Sequence, residues 1–205
     1  MVEDQEIVAR VLGGDYDAFE ALVEKYQARV YRHLRKMVGD PSQAEDLLQE
    51  TFLNAYRGLK GFSGNSSFST WLFRIATNAA LMFLRRNQPE TLEYDDTVAA
   101  DATIELAPGS PEFVSTPLDV LLSAEGRLIL EKAIDELPPS YRSVLILRDV
   151  EGFSIQEAAA ILDISIPALK SRLHRARNLL RANLISYYGE RDIYRGKEPQ
   201  SDDYL

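Results

Sequence analysis

FSIQEAAAILDISIPALKSRLHRAR, Phe153 to Arg177, divides into two amphipathic halves around Asp163 and Ile164. In the first half Ser154 stands three residues before Glu157, the spacing at which a hydroxyl and a carboxylate each satisfy an orphan amide at a helix start. A helix beginning there is expected, with Ala158, Ala159, Ile161 and Leu162 on its apolar face. Ser165 is placed to cap a second helix, and Pro167 is tolerated in its first turn, where a backbone N–H has no intrahelical partner to lose. From Ile166 to Arg181 this helix carries five basic residues and no acidic one. Leu169, Leu173, Ala176 and Leu180 recur at the spacing of a buried stripe. Basic and apolar residues thus take different faces, the pattern of a helix-turn-helix whose second helix meets DNA.

The rest of the chain is also helical in pattern, with no alternating run long enough to argue a sheet. A short helix is expected from about Asp4 to Leu12, ended by Gly13 and Gly14, and a long one from about Asp17 to Val38 with Asp15 as its cap. Phe19, Leu22, Val23, Tyr26, Val30, Leu34 and Met37 form its apolar stripe, and Gly39-Asp40-Pro41 closes it. The next helix, about Ser42 to Arg57, buries Ala44, Leu47, Leu48, Thr51, Phe52 and Ala55. A polar loop, Gly61 to Ser67, precedes a helix from about Ser69 to Arg86. Residues 87–117 hold four prolines and no apolar periodicity, and read as an extended acidic linker. Helices follow at about Leu118 to Asp135 and Pro139 to Asp149. The helix-turn-helix then continues to about Tyr187, and a polar, frayed tail is expected from Gly189. The fold class is all-α: two small helical domains (1–86 and 118–187), a flexible acidic linker (87–117) and a polar tail (188–205).

A net charge of −9 argues against DNA binding only until it is divided along the chain. Residues 1–86 hold 11 basic and 11 acidic residues, whereas residues 87–126 hold 9 acidic residues and no basic one. The linker region alone accounts for the excess, and the second domain is slightly basic. The chain has no cysteine and two histidines, His33 and His174. Disulfides, thiol catalysis and cysteine-bound zinc are excluded, and no metal or other cofactor is expected. No apolar run is long enough to span a membrane and no signal peptide is evident, so a cytoplasmic protein without membrane insertion is expected.

Two further constellations carry chemistry. In Phe62 to Arg86, the aromatics Phe68, Trp71 and Phe73 lie beside Arg74, Arg85 and Arg86, a combination suited to unpaired bases stacked on rings with arginines on phosphates. Helical core spacing accounts for many of these aromatics. Phe62, Asn65, Phe68, Thr70, Arg74 and Asn78 are the candidates from sequence. In Asp46 to Phe52, DLLQETF, the outer face is acidic and amide-rich, as for a protein-binding surface or an ordinary solvated helix face. In the helix-turn-helix, Pro167, Ala168, Lys170, Ser171 and His174 or Arg175 are expected near bases, because such a helix reads the groove with its N-terminal half. Arg177 and Arg181 are expected nearer phosphates or solvent.

Four stretches, DAFEALVEKYQARVYRHLRKMVGD (Asp17 to Asp40), AEDLLQETFLNAYRGLKGF (Ala44 to Phe62), FSTWLFRIATNAALMFLRR (Phe68 to Arg86) and LPPSYRSVLILRDVEGFSIQEAAAILDISIPALKSRLHRAR (Leu137 to Arg177), together resemble the extracytoplasmic-function sigma factors. These are the group 4, sigma-E-like members of the sigma-70 family. The resemblance implies no catalytic residue and no enzyme activity. It implies that Asp46, Gln49, Glu50, Asn54 and Arg57 meet the clamp helices of the largest subunit of core RNA polymerase, whose flap is a second contact. Recognition and melting of the −10 promoter element would fall to Phe62, Asn65, Phe68, Thr70, Trp71, Arg74, Asn78, Arg85 and Arg86. Reading of the −35 element would fall to Arg148, Pro167, Ala168, Lys170, Ser171, Arg172, His174, Arg175 and Arg177. The linker would thread the polymerase's active-site and RNA-exit region, and an anti-sigma factor would hold the protein in check. Met82 stands where the family often has Asp, and Ala168-Leu169 where it often has Thr-Val. A polymerase-independent helix-turn-helix regulator is the alternative, and leaves the Asp46 to Leu59 helix without a role. An enzyme using Glu45, Asp46 and Glu50 lacks a partner cluster.

Overall fold

The computed structural model describes residues 2–87 and 124–195, and all regular structure there is helical. The first domain has four helices, α1 (Val2–Leu12), α2 (Ala18–Val38), α3 (Pro41–Gly58) and α4 (Phe68–Asn87), with a 3₁₀ turn at Leu59–Gly61. The second has α5 (Ala124–Asp135), α6 (Pro139–Leu145), which runs on as a π-helical turn at Ile146–Val150, α7 (Ile155–Leu162) and α8 (Ile166–Arg195).

Punctuation between α2 and α3 follows the side chains. Gly39 adopts φ 80° and returns its N–H to the Arg35 carbonyl at 3.0 Å, a left-handed cap that suits glycine. Asp40 then accepts from the Gln43 amide at 2.9 Å, and Pro41 occupies the first turn of α3. The stripes expected on α2 and α3 are buried except at Val23 and Leu48, which are half-buried at the core's edge: Leu22, Val30, Leu34, Met37, Ala44 and Ala55 are sealed from solvent. They pack against Leu72, Phe73, Ala76 and Ala80 of α4. In the second domain Val144, Ile146, Leu147, Ile161, Leu169 and Ala176 do the same.

Several boundaries differ from expectation. Asp15 does not cap α2: its carboxylate takes Arg10 at 2.7 Å, and Asp17, at the cap position, makes no side-chain cap bond. The helix after Pro139 stops being α-helical at Leu145, and the π-helical turn keeps Ile146 and Leu147 facing the core. α8 continues through Gly189 to Arg195, so the tail begins later than expected. The extended linker, the start of the fifth helix at Leu118 and the last ten residues lie outside the described residues.

The two domains share one continuous apolar core. α4 packs on α7, and α2 on α5 and α6. Phe73 of α4 meets Phe153, just before α7, at 5.0 Å between ring centroids. Arg142 of α6 is buried and donates to the Met37 carbonyl at 2.7 Å, capping the end of α2 from the other domain, and also bonds the carbonyls of Asp135 and Leu137. Burial lowers its pKa from the ordinary arginine value, opposed by Asp135.

Candidate functional site

The turn of the helix-turn-helix is built as its sequence implies. The Ser154 hydroxyl accepts from the Glu157 amide at 3.2 Å while the Glu157 carboxylate accepts from the Ser154 amide at 2.9 Å. These bonds hold the Glu157 carboxyl below its ordinary pKa. Asp163 ends α7 in the left-handed region at φ 54°, a conformation aspartate tolerates better than most residues. The Ser165 hydroxyl accepts from the Ala168 amide at 3.3 Å and starts α8. Leu169, Leu173 and Ala176 are buried under α8, which leaves Pro167, Lys170, Ser171 and His174 exposed, with Ala168, Arg172 and Arg175 half-buried beside them.

Expected DNA-facing arginines also have work inside the protein. Arg177 is bidentate to Asp149 at 2.9 and 2.7 Å, which ties α8 to the π-helical turn and raises the guanidinium pKa. Arg148 is partly buried and reaches the Phe153 carbonyl at 3.4 Å. His174 pairs with Asn178 at 3.2 Å within α8.

On α3, Asp46, Gln49, Glu50, Asn54 and Arg57 are all exposed. Leu53 and Tyr56 also lie open there, and with Phe19, Phe52 and Gln49 they line a shallow apolar groove. Sequence reasoning missed this groove. Its signal was two apolar side chains, Leu53 and Tyr56, outside the buried stripe.

The aromatic constellation is mostly packing. Phe68 is 2% exposed, and Phe62, Phe68 and Trp71 form a cluster with centroids 5.2 to 6.0 Å apart. Tyr26 closes it from α2 at 5.5 Å from Phe68. The Tyr26 hydroxyl donates to Asp4, which also takes Lys25. Burial and the Asp4 carboxylate push the Tyr26 pKa up to about 12. Burial pushes Asp4 up, but the bonds from Lys25 and Tyr26 outweigh it and hold the carboxyl below its ordinary value. Asn65, Arg74, Asn78, Arg85 and Arg86 are exposed, whereas Thr70 is buried and points toward α7. Among the described residues no cluster of His, Asp or Glu is gathered for a metal. No helix there is long and apolar enough to cross a membrane.

Two family models match the chain: sigma-70 region 2 over residues 22–90 and sigma-70 region 4 over residues 127–180. The sigma-E factor of Escherichia coli K12, an extracytoplasmic-function RNA polymerase sigma factor, is 38% identical over 180 residues, covering 86% of this chain and 92% of that protein. The chain belongs to the extracytoplasmic-function sigma factors. The RNA polymerase sigma-H factor of Pseudomonas aeruginosa is 35% identical over 87% of the chain and 92% of its own length. Among solved structures, the sigma factor RpoE of Bartonella quintana, in complex with the anti-sigma factor NepR, is 27% identical with a TM-score of 0.58, over 81% of this chain and 96% of that one. CnrH, in complex with the cytosolic domain of CnrY, shares the fold at 24% identity and a TM-score of 0.63, over 89% of this chain and 97% of that one. In this sigma factor the region 2 match runs from within α2 through α4, and the region 4 match takes in α7 and the first half of α8.

Proposed function

We propose that this sigma factor binds core RNA polymerase through the exposed face of α3, with Asp46, Gln49, Glu50, Asn54 and Arg57 against the clamp helices of the largest subunit. The observation that carries this reading is the pair of open faces. An acidic, amide-rich face on α3 and a basic row on α8 lie on one chain in the order of regions 2 and 4. Domain limits of 1–86 and 118–187 suit this division, with the acidic residues 87–117 running through the polymerase between them. The second domain reads the −35 element through Lys170, Ser171, His174 and the flanks of α8, and meets the flap. The loop from Phe62 to Phe68 with the exposed residues of α4 captures unpaired bases of the −10 element. Unstacking a base costs a few kcal/mol, so opening is confined to sequences whose bases the protein returns to a fitting environment.

An anti-sigma factor is the expected antagonist, supported by the complex of the Bartonella quintana relative with NepR. The purified chain is expected to be retained by core polymerase in a pull-down and to support initiation in vitro only on promoters carrying its own pair of elements. A normally folded chain that core fails to retain would overturn the reading. Duplex binding with no core association would instead identify a polymerase-independent regulator.

A further inference from the structure

Of the large apolar side chains on α4, Phe68, Leu72, Phe73 and Leu84 are buried, and the others except Met82 pack against the edge of the core. Met82 does neither. It is 52% exposed, with Asn78 one turn before it and Arg85 and Arg86 one turn after, all three exposed as well. Side chains three and four apart on a helix are neighbours, their Cβ atoms about 5–6 Å apart. Over its whole length α4 carries three arginines and no acidic residue. Met82 is thus an apolar side chain held open among an amide and two guanidiniums, on a helix whose charge suits phosphate.

The polar neighbours and the thioether do different work at a nucleic acid. Arginine holds phosphates or guanine edges, and asparagine pairs with adenine. Methionine offers no donor and only a weak acceptor. What it contacts favourably on a base edge is apolar, and in the major groove that group is the C5 methyl of thymine. Cytosine presents an amino group instead, which loses water against the same side chain and gains no partner. Phe68 and Trp71 do not compete for this role, because they are taken up in the cluster with Phe62.

We infer that Met82 is a specificity-determining residue of the −10 reader: exposed between Asn78 and the Arg85–Arg86 pair, it contacts the C5 methyl of one thymine in the element. This role rests on the sigma-factor reading above and adds to it a base preference at one position.

Holoenzyme assembled from the full chain and core polymerase is given linear templates randomised over both promoter elements, and the sequences that start transcripts are compared between native chain and variants. Native holoenzyme should select thymine at one −10 position where Met82→Ala shows no preference. Met82→Leu should keep the selection of thymine. Met82→Asp should turn it to cytosine, whose amino group donates to a carboxylate. Deoxyuridine at the selected thymine, which removes the methyl alone, should lower native initiation about fourfold, the scale of one buried methyl group, and should leave Met82→Ala unchanged. Met82 lies on the surface, so all three variants should fold and be retained by core like the native chain. Deoxyuridine without effect on native holoenzyme, or the same base selection by native chain and Met82→Ala, would overturn the inference. So would a loss of initiation in Met82→Ala that is equal for every sequence, the mark of a side chain wedged between base steps. Those outcomes leave the sigma-factor reading standing. A chain that core fails to retain overturns that reading and the role of Met82 with it.

Discussion

His33 is fully buried in α2, with Nε2 2.9 Å from the Thr77 hydroxyl and its ring against Phe73 at 5.1 Å. Burial first, and the nearby Arg29 charge second, lower its pKa from 6.5 to about 3. The folded protein therefore holds it neutral at pH values where the unfolded chain has taken up a proton. Its contribution to stability is complete above about pH 6.5 and is lost as pH falls toward 3, with a limiting slope of about 1.4 kcal/mol per pH unit. Urea midpoints between pH 7 and 4 should drop for the native chain and drop less steeply for His33→Leu, which removes the titration but also the Thr77 bond. Parallel profiles would place the acid sensitivity elsewhere. At the DNA face, Lys170 is exposed on the first turns of α8. Near the bases, Lys170→Ala should weaken binding to −35 duplex by about 1–3 kcal/mol and relax its sequence preference, while leaving the core pull-down unchanged.

Among the elements, the α7 start was legible because its chemistry is local. A hydroxyl and a carboxylate three residues apart need no tertiary partner to define a helix end, and both bonds are present. The buried stripes of α2 and α3 were legible for a similar reason, since a 3.6-residue period fixes which side chains share a face. Asp15 was misread because Arg10, on the helix before it, competes for its carboxylate. The end of α8 was misread because a glycine in a polar stretch reads as a stop, yet Gly189 lies within the helix. Arg29, Glu151 and Arg142 could not be read at all: each looks like an ordinary charge on a solvated face until a second domain covers it, Arg29 then pairing with Glu151 at 2.8 Å. Ser154→Ala should cost about 1 kcal/mol, seen as a melting temperature lower by several degrees at neutral pH. Glu157 has its pKa held down chiefly by Ser154, so its share of stability is present above the ordinary carboxylate range and lost as pH falls through its folded value. The gap between native chain and variant should accordingly narrow in acid, and a gap independent of pH would mean that the carboxylate takes no part.

At the scale of the molecule, the seam between the domains decides how many folding units the chain has. Each bundle is small enough that its own core is modest, and the two cores are joined through Phe73 and Phe153. Phe153 also lies against Arg29, so truncating it removes apolar packing and one wall of the ion pair together. Phe153→Ala is expected to destabilise by about 3 kcal/mol. The loss should not be uniform, because Phe153 precedes α7 while the core of α1 to α4 is formed largely within its own domain. The native chain should therefore unfold in one cooperative calorimetric transition. The variant should unfold in two, the lower belonging to the domain with the helix-turn-helix and followed by its helicity, the upper by the fluorescence of Trp71, which is packed in the Phe62 and Phe68 cluster. A single transition shifted downward would mean that the domains remain coupled through Arg142 and the end of α2, with the aromatic contact contributing stability but not cooperativity.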